Sequence, residues 1–135
     1  MRKLRKAIEF ATEKHRGQKY YSDGSPYIQH CLAVMKLVGR IRNDEDVLCA
    51  AVLHDVIEDC GVKPKELEKI FGKRVMFLVK ELSSNHTPYG KIRSKDALII
   101  KMADSLHNTM KIPENDGKRL EKRRNKIRKT FFNKG

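Results

Sequence analysis

The residues best suited to chemistry in this sequence are two adjacent ionisable side chains at the end of an apolar stretch. His54 and Asp55 directly follow residues 47–53, which read VLCAAVL. A buried carboxylate needs a partner, because its burial without one is costly. A divalent cation would satisfy the imidazole and the carboxylate together and would neutralise the buried charge. A buried salt bridge to arginine or lysine is the alternative, and it is the commoner one for an isolated pair.

Two further acidic residues favour the cation. Glu58 follows His54 by four positions, and Asp59 follows Asp55 by four, so one continuous helix would place each pair on one face. These carboxylates would lie at the C-terminal end of that helix, where the helix dipole disfavours negative charge. Sites where local preference is overridden in this way tend to be functional.

His30 and Asp104 are candidates in two other apolar segments, YIQHCL and IIKMAD. Taken singly, each fits a hydrogen-bonded polar group of a core better than a metal ligand. Taken together with His54 and Asp55, they fit convergence on one cation equally well. Asn108 follows Asp104 by one helical turn.

The elements that would position these residues are all predicted to be helices. Apolar residues recur at helical spacing, and alternating strand patterns bounded by hairpin turns are missing. Ser25 before Pro26 predicts a capped helix start, Asp44 predicts another, and Gly61 predicts a helix end. We expect a polar loop over residues 83–90 and helices over residues 4–15, 26–38, 47–59, 64–71, 75–79 and 95–110.

Composition predicts one compact domain. The chain has 135 residues, 39% hydrophobic and 35% charged, which is enough for one core. No stretch approaches the ~20 apolar residues of a membrane helix, and no signal peptide is recognisable. We therefore expect a cytoplasmic protein with no membrane contact. Three cysteines without CxxC spacing argue against a disulfide framework and against a thiolate zinc site.

The charge is strongly basic, with a formal net value of +13. Such a charge attracts polyanions, either nucleic acid or a small substrate with several phosphates, although a merely solubilising surface remains open. Residues 118–135 hold much of this charge around a thin apolar stripe. We expect a basic C-terminal helix over 113–135 that docks lightly or frays, beside a main domain over 1–112.

The order His…His-Asp…Asp resembles the signature of HD-domain phosphohydrolases. The flanking residues are similar to the hydrolase domain of RelA/SpoT-type alarmone enzymes and their small single-domain relatives. HDxxED with an upstream PYIxH and a downstream KxADxxxN is a specific combination, and the resemblance extends over about residues 5–111. The matching segments are HRGQ at 15–18, GSPYIQH at 24–30, AAVLHDVIED at 50–59, FG at 71–72 and KMADSLHN at 101–108.

The resemblance implies an all-α HD-domain bundle of about six helices around one divalent metal, most commonly Mn²⁺. It implies removal of the 3′-diphosphate of guanosine tetra- or pentaphosphate by a metal-activated water. Glu58 and Asp59 would position or deprotonate that water or protonate the leaving group, and Asn108 would contact the nucleotide. The implied metal ligands are His30, His54, Asp55 and Asp104.

Two departures from the family pattern concern substrate recognition. Family members usually carry an Arg-Lys pair in the loop where this chain has Lys19, Tyr20 and Tyr21. Lys19 can still meet a phosphate, and the tyrosines can stack on a base. Ser105 stands where the family favours arginine, so an ion pair beside the metal aspartate is missing or supplied elsewhere.

Two alternatives to the guanosine substrate follow. The same chemistry fits another nucleotide, such as a nicotinamide dinucleotide phosphate. A protein of a different class, a nucleic-acid-binding module on an idle HD scaffold, fits the charge and the basic tail. The sequence indicates no oligomeric state.

Overall fold

The computed structural model describes residues 1–83 and 92–132, and every regular element in these ranges is an α-helix. The all-α prediction is confirmed, with eight helices instead of about six. Residues 84–91, with His86 and most of the predicted polar loop, lie outside the described ranges. The helices are α1 (Arg2–Lys14), α2 (Tyr27–Gly39), α3 (Glu45–Val52), α4 (Val56–Cys60), α5 (Pro64–Phe71), α6 (Lys73–Leu82), α7 (Lys95–Met110) and α8 (Gly117–Phe131).

Helix α3 forms the centre of the bundle. All residues from Val47 to Val52 are buried, and α3 packs against α1, α2, α6 and α7. A helix that is apolar on all sides is stable only when it is covered on all sides. Asp44 begins this helix as predicted, since its carboxylate accepts hydrogen bonds from the backbone N–H groups of Asp46 and Val47.

The predicted single helix over residues 47–59 is wrong, because it breaks around His54. Helix α3 ends at Val52, and the N–H groups of His54 and Val56 bond three residues back, to the carbonyls of Ala51 and Leu53 at 3.4 and 3.1 Å. The Ala51 carbonyl also accepts a hydrogen bond from Nδ1 of the His54 side chain. Glu58 and Asp59 therefore lie in the first turn of a new helix, and the dipole argument made from the sequence does not apply.

Two helix boundaries predicted from the sequence, an end at Gly61 and a capped start at Ser25, have different outcomes in the structure. Gly61 ends α4 with a positive φ of 68°, which glycine adopts at little cost. The predicted Ser25 cap is wrong, because the Ser25 hydroxyl donates to the Asp23 carboxylate at 2.7 Å instead of capping α2. Asp23 is itself bound by Lys111 at the end of α7, so the loop between α1 and α2 is tied to α7.

Helix α8 differs from the rest, because none of its residues is buried. It lies beside the loop between α1 and α2, where the Arg119 guanidinium stands 5.7 Å from the Tyr21 ring centroid. None of the described helices is long and apolar enough to span a membrane.

Candidate metal centre

The fold brings the four predicted ligands to one point. His30 comes from α2, His54 and Asp55 from the turn between α3 and α4, and Asp104 from α7. One nitrogen or oxygen atom of each lies within 4.8 Å of those of the other three. His30 Nε2 is 2.8 Å from Asp104 Oδ1, while His54 Nε2 is 2.9 Å from Asp55 Oδ2 and 3.3 Å from Asp104 Oδ1. Three separate chain segments thus supply one compact donor set.

The orientation of His54 suits a cation. Its Nδ1 lies 2.7 Å from the Ala51 carbonyl oxygen, which can only accept, so Nδ1 carries the hydrogen. In a neutral imidazole Nε2 then bears a lone pair. That buried nitrogen faces two carboxylate oxygens yet has no hydrogen bond of its own. A lone pair aimed at two negative oxygens is unfavourable unless a positive charge lies between them, and a divalent cation fits there.

Electrostatics within the cluster agree with this arrangement. Burial lowers the pKa of His54, but the charges of Asp55 and Asp104 outweigh burial and raise that pKa well above its usual range. Burial raises the pKa of Asp104, but the close contacts of its carboxylate with the His30 and His54 imidazoles bring that pKa well below the usual range. The cluster therefore stabilises positive charge at His54 Nε2, so a proton and a metal ion would compete for this atom.

Neighbouring side chains hold both aspartates in place. The Tyr27 hydroxyl donates to Asp55 Oδ2 at 2.5 Å, and the Asn108 amide donates to Asp104 Oδ1 at 3.2 Å. Lys101 Nζ lies 3.4 Å from Asp104 Oδ2. The sequence signal for this role of Tyr27 is its position three residues before His30, on the same face of α2.

Glu58 and Asp59 lie on α4 beside the cluster. Glu58 is half-buried, and Asp59 is exposed. Asp59 accepts a hydrogen bond from the Gln18 amide at 3.2 Å. Desolvation of its carboxylate by the surrounding protein and the nearby Asp55 charge raise the pKa of Asp59. Glu58 and Asp59 thus follow the candidate ligand Asp55 by three and four residues, both on the short helix α4.

The loop residues predicted to meet the nucleotide separate into two groups. Lys19 is exposed, and Tyr21 is 60% exposed, so both can reach a ligand. The stacking prediction for Tyr20 is wrong, because this side chain is only 2% exposed. Its ring lies 5.3 Å from the His30 ring, and its hydroxyl donates to the Asn108 side-chain oxygen. Tyr20 therefore orients Asn108 instead of contacting a base.

A cationic cavity of about 370 Å³ lies next to Tyr21. Lys126 in the wall of this cavity is within electrostatic range of Glu58 and Asp104. Desolvation of its ammonium group and the charge of Lys101 lower the pKa of Lys126. The sequence predicted a basic helix here but not that the helix forms a wall near the predicted site. The lining residues are Tyr21, Ile112, Arg119, Lys122, Arg123 and Lys126.

Comparison with known proteins agrees with this geometry. The HD domain family model matches residues 7–88. MESH1 of Danio rerio, a guanosine-3′,5′-bis(diphosphate) 3′-pyrophosphohydrolase, is 33% identical over 123 residues, which cover 78% of this chain and 66% of MESH1. The bifunctional (p)ppGpp synthase/hydrolase SpoT of Escherichia coli strain K12 is 32% identical over an alignment that covers 97% of this chain and 20% of SpoT.

A solved structure shows the same similarity in three dimensions. The structure of a metazoan SpoT ortholog that hydrolyses ppGpp aligns with a TM-score of 0.72 and 31% sequence identity. The aligned part covers 82% of this chain and 70% of that chain. This chain thus spans about two thirds of MESH1 and one fifth of SpoT.

Proposed function

This chain belongs to the HD-domain family, as its motifs predicted, and we propose that it is a metal-dependent phosphohydrolase. Its proposed reaction releases pyrophosphate from the 3′ position of guanosine tetra- or pentaphosphate. The convergence of His30, His54, Asp55 and Asp104 carries this proposal. The activities of MESH1 and of the metazoan SpoT ortholog support the choice of substrate. We assign the hydrolase domain to residues 1–112, the basic segment to 113–135, and the protein to the cytoplasm.

We assign the four converging residues as ligands of one divalent ion and propose Mn²⁺. Two imidazoles and two carboxylates are a mixed nitrogen and oxygen set that suits a six-coordinate ion with open positions. When bound, the ion supplies Lewis-acid polarisation of a phosphoryl oxygen and acidifies water. The hydrogen bonds from Tyr27 and Asn108 would hold the two carboxylates in position for it.

The remaining residues would bind the nucleotide and move protons. Glu58 or Asp59 would accept a proton from the attacking water, and the other would protonate the leaving group. Lys126 and the other cations of the cavity beside Tyr21 would bind phosphate oxygens at the end of the substrate away from the reaction. Asn108, fixed by Tyr20, would meet the nucleotide next to Asp104.

The proposal is tested by incubating the purified chain and Mn²⁺ with a panel of nucleotides, including guanosine tetraphosphate and a nicotinamide dinucleotide phosphate. Phosphate and pyrophosphate are measured separately. Pyrophosphate release that stops on chelation and returns with Mn²⁺ supports the assigned reaction. Phosphate release from the nicotinamide dinucleotide phosphate alone would change the assigned substrate but leave the proposed metal site in place. No turnover of any nucleotide would contradict the proposal that the protein is an enzyme.

Tyr21→Ala is expected to raise KM for the nucleotide while leaving Mn²⁺ affinity unchanged. Loss of base stacking costs about 1–3 kcal/mol, which corresponds to roughly a 5- to 150-fold rise. Steady-state kinetics and calorimetric Mn²⁺ titration measure the two quantities. Phe132→Ala is the matched control, since Phe132 is an aromatic residue, 76% exposed, outside the Tyr21 cavity. Equal KM values for the two variants would contradict stacking on Tyr21.

A pair of double variants separates nucleotide binding from nucleic-acid binding by α8. Lys122→Ala with Lys126→Ala removes two cations of the Tyr21 cavity. Arg124→Ala with Arg128→Ala removes two cations that line a different cavity. We expect KM to rise roughly tenfold or more only in the first, since a hydrogen bond to a charged group is worth about 1.5–3 kcal/mol.

The same variants address the second candidate function, contact with nucleic acid through the basic helix. α8 carries a dense positive charge, which favours sequence-independent phosphate contacts. If the Arg124→Ala, Arg128→Ala variant loses salt-sensitive RNA binding but keeps the wild-type KM, α8 has a nucleic-acid-binding surface separate from the nucleotide site. A KM that rises equally in both double variants would mean that the Tyr21 cavity is not the phosphate site.

A further inference from the structure

His107 lies against the proposed ligand His30, on the side opposite the metal cluster. Its Nδ1 is 2.8 Å from His30 Nδ1, and the two ring centroids are 5.0 Å apart. His30 is 2% exposed, so solvent does not readily replace this contact. His107 follows Asp104 by three residues on α7, and the two side chains thus share a face of that helix. One helix therefore contacts His30 at both ring nitrogens, since His30 Nε2 is 2.8 Å from Asp104 Oδ1.

The short distance between the two Nδ1 atoms requires one of them to donate a hydrogen. If His107 donates, the hydrogen of neutral His30 must be on Nε2, directed at Asp104, and His30 has no lone pair for a metal ion. If His30 donates, its Nε2 is unprotonated and faces the cluster. Only the second arrangement makes His30 a ligand through the nitrogen that lies beside Asp104.

The comparison with His54 supports the second arrangement. The Nδ1 hydrogen of His54 is held by the Ala51 carbonyl, which leaves Nε2 for the cluster. The corresponding partner of His30 is a side chain. Metal-bound histidines generally donate their second ring N–H to a carboxylate, a backbone carbonyl or water, which fixes the tautomer and the ring orientation. For His30 the imidazole of His107 occupies that position.

We propose that His107 is a positioning residue that accepts the hydrogen bond of His30 Nδ1 and so keeps His30 Nε2 available to the metal ion. This inference rests on the proposed metal site. It goes beyond that site because it assigns to a fifth residue, which binds neither metal nor substrate, control over the affinity for the metal.

The test compares His107→Phe with His107→Asn by calorimetric Mn²⁺ titration of the full chain. Phenylalanine keeps a ring but removes the acceptor, and the side-chain oxygen of asparagine can accept in place of Nδ1. We expect Mn²⁺ binding to be roughly 10- to 100-fold weaker for His107→Phe and close to wild type for His107→Asn. Equal affinity of His107→Phe and wild type would overturn the inference, as would an asparagine variant as weak as the phenylalanine variant.

A second measurement needs no variant and remains decisive if His107→Phe fails to fold. A through-hydrogen-bond ¹⁵N–¹⁵N coupling between the two Nδ1 atoms is expected in the wild-type protein loaded with diamagnetic Zn²⁺, with the proton attached to His30. A proton attached to His107, or no coupling, would overturn the inference. Wild-type protein that takes up no divalent ion would contradict the proposed function itself, so the two failures are distinguishable.

Discussion

Replacing His54 with alanine is expected to abolish metal binding and turnover together. The substitution removes a nitrogen atom that lies within 3.3 Å of both aspartates and leaves their two carboxylates in a half-buried site without it. A loss greater than the roughly 100-fold caused by removing an outer hydrogen-bond partner is expected for Mn²⁺ affinity. Calorimetric Mn²⁺ titration and the rate of pyrophosphate release measure the two effects.

General destabilisation must be separated from loss of the ligand. Val38→Ala is a suitable control, because Val38 is fully buried on α2 but contributes no donor atom. Its cavity lowers the free energy of unfolding while metal binding is retained. A His54→Ala protein that is folded and still binds Mn²⁺ with wild-type affinity would remove His54 from the proposed site.

Glu58→Gln is expected to keep the metal and lose most of the rate. Glutamine preserves the shape of the side chain but cannot accept a proton, and general acid–base catalysis typically contributes a factor of about 10²–10⁴. The prediction is therefore a fall in kcat of that size with unchanged Mn²⁺ affinity. Loss of Mn²⁺ from Glu58→Gln would instead indicate that Glu58 holds the metal.

Asp59→Asn separates the two carboxylates of α4. Asp59 is exposed and bonded to Gln18, and its raised pKa suits a proton donor. We expect its substitution to slow substrates with poor leaving groups more than those with good ones, whereas Glu58→Gln slows both equally. Full activity of Glu58→Gln would show that the catalytic role assigned to Glu58 is wrong. The assignment of the four proposed metal ligands would not be affected.

The convergence of the candidate ligands could be predicted from the sequence. His30 and Asp104 interrupt apolar stretches, and such stretches become the buried faces of α2 and α7 that pack on each other. A polar residue on a buried face must meet another polar group, so two of them on packed helices are placed near one another by the fold itself. The specific flanking motifs then identified the family.

Other features depend on single contacts that no sequence pattern records. The break after α3 coincides with the hydrogen bond from His54 Nδ1 to the Ala51 carbonyl, whereas the helical periodicity of the sequence continues past residue 54. Tyr20 and Tyr21 are adjacent and identical, yet one is buried and the other exposed. That difference is fixed by how the loop folds back over α7, which is tertiary information.

The cationic wall of the Tyr21 cavity belongs to a helix with no buried residue, which has a consequence for how a ligand would be held. Such an element has little packing to oppose the mutual repulsion of its own charges, so local unfolding detaches it readily. A polyanion in the cavity would neutralise that repulsion. Occupancy of the cavity by a polyanion and the order of α8 would therefore rise together. A product with fewer negative charges would neutralise less of the repulsion, so α8 would be less ordered when that product is bound.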